Sequence, residues 1–160
     1  MLDHMSAEQA VGIISSLLAG RWLASEAAAA ATLRGLGFTE FPGAAEPLTD
    51  GSMQHTLGPP AGVDHASFTT VDGDPVSVTF FIASVPEPRS EATGAAYRAL
   101  LASLTASLGA LERVWADQPT PMQWRGAELD VGVQLFDRRD SSVMVWVEHR
   151  FRSDAPSSAR

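Results

Sequence analysis

Apolar residues at Val11, Ile14, Leu17, Leu18 and Trp22 fall three or four positions apart, the spacing that lines one face of a helix. Ser6 and Gln9 stand where a capping box needs a hydroxyl at the N-cap and an amide three residues later, so the first helix starts there, and Gly20 frays or ends it. Ser25 caps a second, Ala-rich helix with Leu33 and Leu36 near its end, and Gly35 or Gly37 supplies the left-handed stop. A third helix begins at Ser90. Its Tyr97, Leu100, Leu101, Leu104, Leu108 and Leu111 lie within an arc of about 100°, a single stripe to be buried, and Gly109 stops it.

Elsewhere the pattern has the two-residue period of strands. Residues 42–51 read as a loop and 52–57 as a short edge strand, broken by Pro59, Pro60 and Gly62. Residues 65–71 and 76–82 form a hairpin around Asp72-Gly73-Asp74. An Asp-Gly pair suits a two-residue turn, but that register sets Phe68 against Ser77 and mixes the faces. A three-residue loop pairs Phe68 with Val78 and Ala66 with Phe80 and keeps one face apolar, so the longer loop is predicted. Pro86 and Pro88 end the strand, and residues 114–124 are irregular or a short strand, interrupted by Pro119 and Pro121. The last hairpin alternates at Leu129, Val131, Val133 and Leu135, then at Val143, Val145 and Val147. Placing both rows on one face pairs Val133 with Val145 and Val131 with Val147. The same register sets Asp130 opposite Glu148 and Gly132 opposite Trp146.

These elements predict an α+β fold. A single antiparallel sheet of about five strands has its helices packed on one face, in the order α-α-β-β-β-α-β-β. A chain of 160 residues is one domain, placed at 6–152, with disordered tails at 1–5 and 153–160. The face away from the helices carries Ser67, Thr69, Ser77, Thr79, Phe81, Asp130, Gln134, Met144, Trp146 and Glu148. An antiparallel sheet can leave such a face in water.

Composition narrows the function. The chain has no Cys, which removes disulfides, thiol catalysis and Cys-ligated zinc. It has no Lys, which removes Schiff bases and phosphate-loop lysines, and with no Asn and abundant Ala, Arg, Gly and Pro it has the bias of a GC-rich, actinobacterial genome. A net charge of -8 disfavours nucleic acid and anionic membrane and favours a basic protein partner or a cationic ligand. Residues 10–23 are mildly apolar but follow Asp3 and Glu8 without a preceding Lys or Arg, the wrong flank for a signal peptide, so a cytoplasmic protein is expected.

No complete catalytic or cofactor motif occurs, and no cofactor or metal is expected. His4, His55, His65 and His149 lack metal-ligand spacing, and His149, on the apolar parity, reads as a half-buried structural residue. Ser141 and Ser142 suit turn chemistry, and Arg138 and Arg139 a solvated tip. Two features have a sharper alternative. Trp146 either lies over the bare backbone of Gly132 and repairs the strand, or it anchors a partner. Asp130 and Glu148 either are neutralised by Arg125 or Arg150, or form a cation-seeking pair, since like charges facing across strands destabilise a sheet unless compensated. Serving as general acid and base would further require a cleft.

Trp22, the Ala-rich helix and Leu36-Gly37-Phe38 resemble the opening of small actinobacterial proteins of unassigned function; Leu108-Gly109 followed by Trp124-Arg125-Gly126 and two strands resembles their second half. Such families look like the immunity proteins of polymorphic toxin systems. The resemblance implies an α+β protein, monomer or homodimer, that neutralises a toxin by binding it, and it implies no catalytic residue. The expected function is therefore a non-enzymatic protein-binding module, in which Asp130, Gln134, Met144, Trp146 and Glu148 meet the basic active site of a cognate toxin. The element order and low pI are also similar to acidic secretion-chaperone-like or regulatory dimers, and a small ligand-binding domain or enzyme is the remaining alternative.

Overall fold

The computed structural model describes residues 5–19, 22–23, 25–109, 112–113 and 121–150, without the side chains of 40–44 and 112–113. The expected tails at 1–4 and 153–160, with His4, Gly20, Leu111 and most of 114–124, lie outside the described residues. Met5 is inside them: it is buried in the core and its N–H donates to the Gly62 carbonyl at 3.0 Å.

Helix α1 spans Ala7–Leu18. Its capping box is complete: Ser6 Oγ accepts from the Gln9 N–H at 3.1 Å and Gln9 Oε1 accepts from the Ser6 N–H at 2.9 Å. Ala10, Ile13, Ile14 and Leu17 are its buried residues, while Val11 and Leu18 lie at the margin of the core. Helix α2, Glu26–Gly35, starts at Ser25, whose Oγ accepts from Ala28 N–H, and stops at Gly37, with φ of 98°. Helix α3, Glu91–Leu108, starts at Ser90 and stops at Gly109, with φ of 91°. Its predicted stripe is only partly sunk: Leu100 and Leu104 are fully buried, Tyr97 and Leu101 are half-buried and Leu108 is exposed. Thr93 completes the buried face, its Oγ donating to the Ala83 carbonyl at 2.6 Å. Ser6→Ala removes an acceptor for an otherwise unpaired helix N–H, and an urea melt should show a loss of about 1 kcal/mol; an unchanged midpoint would mean that the cap adds nothing.

Among the described residues the sheet has eight strands. Seven are longer: β1 Thr39–Pro47, β2 Met53–Gly58, β3 His65–Val71, β4 Asp74–Val85, β6 Met122–Arg125, β7 Leu129–Phe136 and β8 Ser141–His149; β5, Glu112–Arg113, has two residues. The spatial order is β1-β2-β3-β4-β8-β7-β6-β5, and every pairing is antiparallel. Two four-stranded meanders therefore run from the edges inward and meet at β4 and β8, with α3 as the connection between them. The α+β class and the single antiparallel sheet are as predicted, but the sheet is larger than the expected five strands, and four strands follow each helical segment.

The difference lies at the two edges. Of residues 42–51 only 48–51 turn: β1 runs through Pro42 and Gly43 to Pro47 and takes the edge that β2 was expected to hold. Its ladder passes from Glu40↔Leu57 to Ala45↔His55 with an irregularity between them. An edge strand and a bulge are both places where proline's missing N–H is tolerated in a sheet. The β3–β4 hairpin differs as well. Its turn is the two-residue Asp72-Gly73, with φ of 51° and 83°, the double positive φ that Asp-Gly favours. The predicted pairs Phe68↔Val78 and Ala66↔Phe80 nevertheless form, because the ladder steps from Thr70↔Pro75 to Thr69↔Ser77 and leaves Val76 as an extra, bulged residue.

The last hairpin has the predicted register: Val131↔Val147, Val133↔Val145, Asp130↔Glu148 and Gly132↔Trp146. Continuing across β4 and β3, it aligns Val133, Val145, Phe80 and Ala66 in one row and Val131, Val147, Val78 and Phe68 in the next. These rows form one buried cluster with Ile14, Phe38, Leu100 and Leu104. Burial of each large apolar side chain contributes about 1.5–3 kcal/mol. The helices lie on this face: α3 crosses β4, β8 and β7, α2 meets β1 and β4, and α1 packs on α3. Two buried indoles fasten the layers through their N–H groups, Trp22 to the Pro75 carbonyl at 2.8 Å and Trp124 to the Gly109 carbonyl at 3.0 Å.

Candidate functional site on the open sheet face

Side chains alternate across a strand, so the face away from the helices follows from the register. One row runs Gln123, Gly132, Trp146, Thr79 and Ser67. On one side of it lie Gln134, Met144, Phe81 and His65, and on the other Arg125, Asp130, Glu148, Ser77 and Thr69.

Gln134, Met144, Trp146 and Glu148, four of the five residues singled out from the sequence, line one depression of about 310 Å³ on this face. Ser77, Thr79 and Gln123 complete its lining. Each lining residue reaches it for a plain reason. Ser77 and Thr79 come from β4, Met144, Trp146 and Glu148 from β8, Gln134 from β7 and Gln123 from β6, all at the parity opposite the core valines.

Trp146 is half-buried and lies over Gly132. A methyl group placed on Gly132 would sit 1.9 Å from both Cε2 and Cζ2 of the indole. The ring thus covers backbone that no side chain shields, and glycine leaves the space that this approach requires. This is the strand-repair arrangement foreseen from the sequence, and the same indole also borders the depression.

Asp130 is placed differently from the expectation. It faces Glu148 in the ladder, but it is only 3% exposed and is held by Arg150: Nη2 donates to Oδ1 at 2.6 Å and Nε to Oδ2 at 3.2 Å. Arg150 Nη2 also donates to the Gly126 carbonyl, and the Arg150 N–H to the Glu128 carbonyl at 2.8 Å. The carboxylate expected to meet a partner is therefore engaged inside the protein. A buried carboxylate without such a partner is strongly unfavourable, and of the two arginines near it in sequence Arg150 takes up the chelating position. Among the residues that line the depression, Glu148 is the one that carries a carboxylate.

Gln123 is the residue that sequence reasoning missed. It is 6% exposed, and its Oε1 is buried without a hydrogen-bond partner among the described residues. Few buried polar atoms in proteins lack one. The available signal was the alternation Met122, Gln123, Trp124, with apolar neighbours facing the core; Pro119 and Pro121 obscured it.

The other candidates serve the fold. His149 is half-buried, with its ring 6.2 Å from that of Trp22 and its Nε2 3.8 Å from Glu128. His55 stacks on Phe68 at 4.4 Å, with Nε2 3.1 Å from Thr70 Oγ1. His65 lies 5.9 Å from Phe81, centroid to centroid. Ser141 is buried in β8 rather than in a turn; its Oγ donates to the Glu87 carbonyl at 2.7 Å and accepts from the Ser90 N–H at 2.9 Å, which joins β8 to the start of α3. Arg138 and Arg139 are exposed. Burial pushes the Tyr97 phenol above its usual 10.0, so it stays protonated in the helical layer.

Among the described residues no helix is long and apolar enough to cross a membrane. Comparison of the chain with protein-family models, with curated proteins and with solved structures finds no match.

Proposed function

We propose that the protein is a non-enzymatic binding module that receives a basic protein partner on its open sheet face, in the manner of the toxin-neutralising immunity proteins that its sequence resembles. The observation that carries this reading is the depression on the sheet face opposite the helices, lined together by Trp146, Glu148 and Gln123, whose buried amide oxygen has no hydrogen-bond partner among the described residues. The described lining holds one carboxylate and no imidazole, a poor set for acid–base exchange but a good one for holding a donor. The net charge of -8 draws a cationic surface towards the protein and sets specificity and association rate. Neutralisation would follow from occlusion: a toxin whose own cleft is basic loses access to its substrate when that cleft closes over this face.

The test uses the protein encoded beside this chain as partner and isothermal titration calorimetry as the readout. Glu148→Arg, on the margin of the depression, should weaken the complex at least tenfold and slow association at low salt. An affinity within twofold of the unaltered protein's removes this face from the interaction. Asp130 is unsuitable for that experiment, because its reversal would break the buried ion pair with Arg150.

A further inference from the structure

We infer that the depression is a socket for one arginine side chain of the partner, an inference that rests on the binding reading above and specifies its chemistry. Gln123 lines the depression, and its Oε1 is a buried acceptor with no hydrogen-bond partner among the described residues. A group in that state is stabilised by whatever donor arrives. Glu148 adds carboxylate lone pairs, and the Ser77 and Thr79 hydroxyls can also accept. The pocket is therefore rich in acceptors, and its occupant must bring donors.

Three features choose guanidinium among donors. Trp146 borders the pocket with its ring backed by the Gly132 backbone, and indole is the best aromatic surface for a cation. Guanidinium is planar, carries five N–H donors in a fixed fork and is weakly hydrated, so it can stack on indole while donating sideways to an amide oxygen and a carboxylate. The volume of about 310 Å³ lies at the lower limit of small-molecule sites, which suits a single side chain carried on another protein. Met144 and the aliphatic parts of Gln134 would receive the methylene stem. The unsatisfied oxygen of Gln123 would then be a binding feature held at the expense of the free protein's stability.

The experiment titrates the full chain, labelled with nitrogen-15, with Nα-acetyl-L-argininamide, and follows the Trp146 indole N–H and the Gln123 side-chain amide. Both should shift saturably. Nα-acetyl-L-citrullinamide, nearly the same shape without the charge, should bind at least fivefold more weakly. Gln123→Leu should melt no lower than the unaltered protein and lose at least fivefold in argininamide affinity; Glu148→Gln, which keeps shape, should lose affinity several-fold and covers the case in which Gln123→Leu does not fold. Equal binding of citrullinamide, shifts centred elsewhere, or undiminished binding by the variants would overturn the socket. The two readings fail separately. If the protein partner binds in a Glu148-dependent way but argininamide does not shift these signals, the socket falls and the face stands. If argininamide binds as expected but the partner ignores Glu148→Arg, the proposed function falls.

Discussion

Arg150→Ala should destabilise the protein by about 3 kcal/mol, up to about 5. The guanidinium donates to both oxygens of Asp130, at 2.6 and 3.2 Å, and to the Gly126 carbonyl in the β6–β7 turn. The Asp130 side chain is 4% exposed and that of Arg150 24%, so the pair lies where water screens little. Removing Arg150 leaves the carboxylate enclosed and facing Glu148 across the ladder, and like charges opposite each other add to the penalty. Arg150→Lys should recover only part of the loss, since an ammonium group cannot chelate two oxygens and reach a carbonyl in the same plane. Replacing both partners together, Asp130→Leu with Arg150→Leu, should lose less than Arg150→Ala alone, because no uncompensated charge remains. Urea titrations of the three variants check this order. A loss below about 1 kcal/mol for Arg150→Ala would mean that the pair is effectively solvated.

The same pair shows where the sequence stopped being legible. The opposition of Asp130 and Glu148 followed from the alternation of valines, a rule of period two that a buried face enforces. The ion pair did not follow, because Arg125 and Arg150 both flank it in the chain and only three-dimensional placement separates them. Helix ends were legible for a local reason: Ser6, Ser25, Ser90, Gly37 and Gly109 act within one turn of their own backbone. β1 was hidden because Pro42, Gly43 and Pro47 argue against a strand, and the edge position that admits them depends on the whole sheet. In the β3–β4 hairpin two sound arguments, turn chemistry and face alternation, exclude each other in a regular ladder. The bulge at Val76 satisfies both, and nothing local in the sequence announces it. All five site residues fell on the open face because parity alone places them there, and four of them line the depression. Gln123 was missed because its burial comes from the sheet around a short strand that directly follows two prolines.

Gly132→Val sets two effects of opposite sign against each other. Glycine inside a strand is unfavourable by roughly 0.5–1 kcal/mol, and valine is a strong strand former, so local preference predicts a gain. The space is already taken: the first added carbon would meet the Trp146 ring at 1.9 Å, a distance that no side-chain contact tolerates. The indole must leave the backbone or β7 must shift, and overpacking of this kind is unfavourable by about 1–3 kcal/mol. The steric term should win, giving a net loss of about 1–2 kcal/mol. The indole N–H resonance of Trp146 should move with it, and binding at the depression should weaken although Glu148 is untouched. The decisive comparison is in a Trp146→Ala background, where the obstacle is gone. There Gly132→Val should reverse sign and stabilise by roughly 0.5–1 kcal/mol, the value set by glycine's lost entropy. The same destabilisation in both backgrounds would show that Gly132 answers to some other constraint on β7. A reversal would show that the indole holds glycine in that strand, so that one contact both repairs the sheet and fixes the aromatic wall of the site.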